Sequence, residues 1–390
     1  MISVDDALVQ LFALVTPLGT EEIALKDATG RVLAEPVTAQ RDQPPFPASA
    51  MDGYAVCGAD YVKGQTLTVL GEAAAGARYQ GTVKAGQAVR ILTGAPVPKG
   101  ANWIAIQEDV DARGSQITIR ETTEAKSFVR AAGTDFKTGQ TLDAPQILTP
   151  NLIALLASMN IARVPVTRRP DIALISTGTE LVMPGETPGD DQIIASNTFG
   201  LKAMLEQIGA IVRVLPIAHD TLPALRTAFE IAKGADLIIT IGGASVGDHD
   251  LVGGVAAELG MNKSFYKVAM RPGKPLMAGK MGDAMMIGLP GNPVSAMVCG
   301  TVFVMPVVRA MLGLGKSAAP HKTALLKEDM PANGPRAHYM RAVLNDGQIT
   351  PFARQDSALL SVLAQSNALL LRPPNDPARC AGDIVSFIEL

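Results

Sequence analysis

Two Pro-Gly turns in the second half of the sequence set basic side chains beside rigid backbone. One is Arg271-Pro272-Gly273-Lys274-Pro275; the other is Gly288-Leu289-Pro290-Gly291-Asn292-Pro293, followed by a helix-like run from Val294 to Leu312 that carries Ser295. Glycine admits backbone conformations that a side chain blocks, and proline fixes φ and removes an N–H. A helix that starts at such a turn directs unpaired N–H groups and its positive dipole end outward. With Lys267, Arg271 and Lys274 nearby, the pattern predicts a pocket for an anion, a phosphate first of all. Read alone, a pair of tight hairpin turns is the bland alternative. The loop Gly242-Gly243-Ala244-Ser245-Val246-Gly247 has the composition to bring amides and a hydroxyl onto a phosphate oxygen, and so do Thr177 and Gly178 in Ser176-Thr177-Gly178-Thr179-Glu180. It fits neither the Walker pattern nor the dinucleotide fingerprint, and a plain strand-to-helix turn is its bland alternative. Glu180, Asp220, Asp248 and Asp250 accompany these loops. Acids beside a phosphate repel it unless a hard cation intervenes, so Glu180, Asp220 and Asp250 are candidate Mg²⁺ ligands. Asp248 reads more simply as a helix cap.

These loops need strands to hold them. From Asp171 onward the sequence alternates: strand Asp171–Ser176, helix Ser196–Ile208, strand Ile211–Ile217, helix Leu222–Lys233, strand Asp236–Ile241, helix Leu251–Leu259, then strands at Phe265–Ala269, Leu276–Ala278 and Ala284–Ile287. That rhythm predicts a mainly parallel sheet covered on both faces, a three-layer α/β unit over 169–316, with ligands at the carboxyl ends of its strands. Upstream, short alternating runs such as Thr66–Leu70, Ala88–Leu92, Trp103–Ile106 and Gln116–Ile119 predict a small β domain over 47–129. Residues 1–46 and 130–168 read as a linking unit, with a Ser3-capped helix from Val4 to Val15 and a second helix from Thr149-Pro150. Residues 317–390 return to β-like runs and read as a small sheet or barrel.

Composition narrows the classes. Of 390 residues 47% are hydrophobic and 4% aromatic, with a net charge of −3, which suits a multidomain enzyme and disfavours general nucleic-acid binding. No apolar run is expected to reach membrane-spanning length, since the longest candidates contain Asn, Arg or Pro. The acidic start Met1-Ile2-Ser3-Val4-Asp5-Asp6 lacks a secretory charge pattern, and Cys57, Cys299 and Cys380 form no disulfide framework, so a cytoplasmic protein is expected. The four histidines show no zinc-binding spacing.

Several strings together resemble the molybdopterin molybdenumtransferases, enzymes related to the E domain of gephyrin. They are Ser49-Ala50-Met51-Asp52-Gly53-Tyr54-Ala55-Val56, Thr93-Gly94-Ala95-Pro96-Val97-Pro98, Ser176-Thr177-Gly178-Thr179-Glu180-Leu181, the Gly242–Gly247 loop and the two Pro-Gly turns, spread in the family's order over nearly the whole chain. The resemblance implies an elongated four-part homodimer. It implies a reaction in which molybdate is inserted into adenylylated molybdopterin and AMP is released with Mg²⁺. It places Asp52, Asp135, Glu180, Asp220 and Asp250 among the functional acids, and Lys267, Arg271 and Lys274 in a basic cluster, with Arg271 where Lys is often found. It puts Lys274, Ser295, Arg341 and Ser357 at an oxyanion site, and Asp52 in a site completed across the dimer. Dealings with a molybdopterin adenylyltransferase and with maturation factors of molybdoenzymes are further implications. The alternatives are the adenylyltransferase itself, which shares the α/β unit, and a non-catalytic scaffold; for Arg341 and Ser357 the alternative is an ordinary exposed strand and loop.

Overall fold

The computed structural model describes residues 1–122, 126–243 and 251–390. Its central sheet runs in the order Ile211–Val214, Asp171–Ser176, Leu237–Ile241, Ala284–Leu289, Met277–Met281, Met261–Tyr266. The first four strands are parallel, Met277–Met281 runs antiparallel to them, and Met261–Tyr266 pairs antiparallel with Met277–Met281. All five side chains of Leu237–Ile241 are buried, as expected of a strand covered on both faces. One face packs against helices Leu222–Ile231 and Leu251–Glu258 through Leu225, Phe229, Val252 and Val255. The other packs against Asn197–Gln207 and the long helix Pro293–Met311.

That long helix corrects one expectation. Its 19 residues are long and apolar enough to cross a membrane, but 83% of its most apolar window is buried inside the protein, so it is the core helix of the α/β unit. One turn, Gly300–Val304, is π-helical. The N-terminal helix Val4–Leu14 begins at a capping box in which Ser3 and Asp6 satisfy each other's backbone N–H groups. Its buried face of Ala7, Leu8 and Leu11 joins the α/β core, not the core of the linking residues around it.

The linking residues pair Thr20–Ala24, Arg163–Thr167, Val32–Leu33 and Gln146–Ile147 in one small sheet, beside helix Pro150–Ser158 with its Thr149 cap. The small β domain is a six-stranded sheet in which Gly53–Val56 lies between Trp103–Ile106 and Gln87–Ile91. At the C-terminus, Ala337–Asn345 pairs with both Gln348–Pro351 and Ala368–Arg372, closing Lys322–Leu326 and Ile384–Glu389 into a β-barrel.

The strand expected at Phe265–Ala269 is divided. Met261–Tyr266 belongs to the α/β sheet, while Met270–Arg271 pairs with Ala337 and His338 of the barrel. Lys267, at φ +73°, turns the chain between them. Periodicity could not show this, because a left-handed residue that is not glycine leaves an apolar run looking continuous.

Candidate functional site

The parallel strands are ordered second, first, third, fourth by their place in the sequence, so the order reverses between Asp171–Ser176 and Leu237–Ile241. Ligands of open α/β sheets bind at the carboxyl ends of such a switch point. A cavity of about 440 Å³ lies there, lined by Thr177, Gly178 and Glu180 from the first strand's loop and Gly242 and Gly243 from the third's. Pro290, Gly291 and Asn292 close it from the fourth, and Asp220 adds a second carboxylate.

The glycines are required by close approach. A Cβ on Gly242, at φ +93°, would stand 2.5 Å from the Thr177 carbonyl oxygen. One on Gly243, at φ +64°, would stand 2.3 Å from Val252 Cγ2. The loops are tied by backbone bonds: Thr177 N–H donates to Ile241 O at 2.9 Å and Gly242 N–H to Leu289 O at 3.1 Å. Asn197, at the start of the helix on that rim, donates from Nδ2 to Gly291 O at 2.7 Å. The predicted convergence of three small-residue loops is therefore present. Ser245, Gly247 and Asp250, with Asp248, lie outside the described residues.

The second turn differs from the expectation of a bare helix end. Val294 N–H donates to Ser357 O at 3.1 Å, and Asn292 Nδ2 donates to Ser357 Oγ at 3.0 Å. A barrel loop thus occupies part of the helix start. Ser295, one residue later, is buried.

The basic turn stands apart from the cavity and touches its lining only through Pro275. Lys267, Arg271, Pro272, Gly273 and Lys274 do not line it. Lys267 Nζ lies over the Tyr266 ring, 5.0 Å from its centroid. Arg271 and Lys274 are exposed. Gly273, at φ +109°, is pressed on Cys299: a Cβ there would be 2.5 Å from Sγ. Beside the turn, Arg341 is 1% exposed, which rules out the plain exposed strand as its setting. Its Nη1 donates to Asp356 O at 2.6 Å and its Nε and Nη2 to Gln355 Oε1 at 3.1 and 3.0 Å. Burial presses the Arg341 guanidinium below its usual value, Asp356 opposes that, and Arg271 adds to it.

Asp52 is exposed on the small β domain, and no described residue of 47–129 lines the cavity of its own chain. Its Oδ1 accepts from Thr93 N–H at 2.6 Å and Thr93 Oγ1 at 2.7 Å. The Thr93 amide, then its hydroxyl, hold the Asp52 carboxyl below the usual carboxylate range. Gly94 N–H donates to Ser49 O at 2.9 Å and Ser49 N–H to Ala95 O at 3.0 Å. Gly53 admits the neighbouring strand, since a Cβ would stand 2.1 Å from Ala105 O. Two separated sequence strings are thus one rigid support for one carboxylate. Asp135 is exposed on the linking unit, where its N–H donates to Gln43 O.

Family models cover each part of this architecture. One described as the MoeA N-terminal region (domain I and II) matches residues 2–160, one described as a probable molybdopterin binding domain matches 173–310, and one described as the MoeA C-terminal region (domain IV) matches 323–390. A molybdopterin molybdenumtransferase of Haemophilus influenzae is 34% identical over 95% of this chain and 94% of its own. The chain belongs to the molybdopterin molybdenumtransferase family. A relative of the same description from Nostoc sp. is 35% identical over 100% of this chain and 94% of its own. Among solved structures, the molybdopterin biosynthesis MoeA protein of Pyrococcus horikoshii covers this chain and itself completely, at a TM-score of 0.86 and 27% identity.

The family fold tests the expected Mg²⁺ site. Among the described residues no group of three or more His, Cys, Asp or Glu is placed to hold a metal. Glu180 and Asp220 do share the cavity. Mg²⁺ commonly takes one or two carboxylates and completes its shell with water and phosphate oxygens, so this pair fits it. Sequence reasoning missed Ser196 and Asn197 as lining residues, and missed the pairing of Leu181–Val182 with Ile193–Ile194 at the cavity mouth. The Ser196-Asn197 pair before a helix was the available signal, but a cap and a ligand contact use the same residue types.

Proposed function

We propose that this chain inserts molybdenum from molybdate into adenylylated molybdopterin and releases AMP. The observation that carries the reading is the cavity at the switch point, with glycine loops narrow enough for phosphate oxygens and two carboxylates on its rim, next to a separate basic turn. A phosphorylated ligand and a tetrahedral oxyanion need different surroundings, and the chain has both. The flanking domains, matched by the family over 2–160 and 323–390, favour the transferase over the adenylyltransferase, which resembles the α/β unit alone.

Gly178, Gly242 and Gly243, bare of side chains, leave room for the phosphates beside Thr177, with Asn197 fixing the Pro290–Pro293 turn. Glu180 and Asp220 would hold Mg²⁺, which when bound neutralises pyrophosphate charge as the phosphoanhydride breaks. Lys274, Arg271 and Ser295 hold molybdate, with Ser357 fixing the Pro290–Pro293 turn from the barrel side and Arg341 holding the barrel loop of Gln355 and Asp356. Arg271 supplies charge and a planar donor fork, and no step here needs it to lose a proton.

The working unit is a homodimer in which Asp52 of one copy faces the cavity of the other. Its firm support by Thr93, and the absence of the described residues of 47–129 from the cavity lining, favour that arrangement. The test supplies adenylylated molybdopterin and Mg²⁺, with and without molybdate, and follows AMP. Molybdate-dependent AMP is expected. AMP release indifferent to molybdate overturns the reading, and adenylylated pterin made from ATP would establish the adenylyltransferase instead.

A further inference from the structure

His338 is the residue that the proposed reaction leaves unexplained. It is 8% exposed, and its Nε2 is buried with no hydrogen-bond partner among the described residues. An unmet buried polar atom costs about 1–3 kcal/mol, so its retention calls for an account. Its strand neighbours are Arg271 on one side and Arg372 on the other. Arg336 and Arg341 complete the positive surroundings.

Most of these charges are already engaged. Arg372 and Arg379 are both paired with Asp376. Arg336 donates to Met270 O, and Arg341 is held by Gln355 and the Asp356 carbonyl. Asp356 is the acid on the Arg341 side. The Arg271 side chain has no hydrogen bond or ion pair among the described residues, and it is the residue in register with the orphaned imidazole.

We propose that His338 is the proton-coupled member of the oxyanion site: a dianion seated beside Arg271 draws one proton from solvent onto the His338 imidazole. No covalent bond changes, and the proton balances one of the anion's charges. This rests on the reading that molybdate binds at the 271–275 turn. Without an anion, burial and then the charges of Arg271, Arg341, Arg372 and Arg336 hold the imidazole down to about 4, so it is neutral near neutral pH. A dianion cancels part of that field and raises its proton affinity.

The test is calorimetric titration of the full-length protein with dilute molybdate, in pairs of buffers that differ in protonation enthalpy. Between about pH 5.5 and about pH 7.5 the native protein should take up protons on binding, and affinity should rise as pH falls, by at most about tenfold per unit. His338→Gln should bind without that uptake and with a flatter pH profile, while His321→Gln, on an exposed segment, should match the native protein. If His338→Gln does not fold, histidine NMR of the native protein gives the same answer: molybdate should move the His338 titration upward. Uptake unchanged in His338→Gln, or binding without uptake across the range, overturns the coupling. Failure of the native protein to bind molybdate overturns the oxyanion reading beneath it, and so is told apart.

Discussion

At the strand ends of the α/β sheet, the cavity is lined by loops whose glycines are pressed on neighbouring atoms, and among the described lining residues the charges are the two carboxylates of Glu180 and Asp220. At the 271–275 turn, a strand of the α/β unit has crossed into the barrel sheet, and arginines gather around a buried histidine. The rim is shaped by what is missing from its side chains; the seam is shaped by charge held between two domains. The difference teaches how one chain, in the proposed reading, keeps a phosphate site and an oxyanion site close without merging them. In the proposed reading the first relies on glycine-lined space and a cation. The second relies on guanidinium groups that need no cation.

The largest expected effect breaks the rim. Gly242→Ala puts a Cβ against the Thr177 carbonyl, and Gly243→Val meets Val252. Each should cost about 1–3 kcal/mol of stability by chemical denaturation and weaken nucleotide–pterin binding more than tenfold or so. Molybdate binding at the seam should change far less, and equal loss at both places would erase the distinction. Next, Glu180→Gln or Asp220→Asn should lower turnover by roughly 10²-fold and raise the Mg²⁺ needed for half-maximal rate. A rate whose Mg²⁺ dependence is untouched would remove the carboxylates from the metal.

Asp52→Asn tests a third place. It should reduce activity with little loss of stability, because Asp52 is exposed and its support by Thr93 survives. Mixing Asp52→Asn protein with Glu180→Gln protein should restore about a quarter of native activity, since half of randomly mixed dimers carry one intact site of two. No recovery would confine each site to one chain. Arg271→Gln should raise the molybdate requirement about tenfold while leaving pterin affinity unchanged.

The smallest effect is in pH. The His338 value in the fold, about 4, lies below the ordinary 6.5, so the folded protein binds fewer protons there. Its stabilising contribution is complete above about 6.5 and is lost as pH falls toward about 4. Molybdate should therefore raise the melting temperature more on the acid side of that window than on the alkaline side. An equal rise at both ends would detach the seam from His338.

How much could be read beforehand follows the same division. Gly242, Gly243, Pro290 and Gly291 were legible because a strand end followed by small residues is local information. The capped helices starting after Ser3 and Thr149 were legible for the same reason. The split at Lys267 was not, because it depends on a barrel strand some seventy residues later in the chain, nor was the burial of Arg341, which depends on the loop of Gln355 and Asp356 closing on it. Asn197 was hidden differently: its position looked like an ordinary helix start, and its bond to Gly291 spans two loops.

Ser357 carries a consequence for the life of the molecule. It comes late in the chain, yet its carbonyl takes the Val294 N–H and its hydroxyl takes the Asn292 side chain at the cavity floor. A growing chain on the ribosome has every glycine of the rim well before it has this fastening. The pocket is therefore finished last by a part of the protein that does not line it, and a truncated product lacking the barrel would carry the right loops with their final clasp undone.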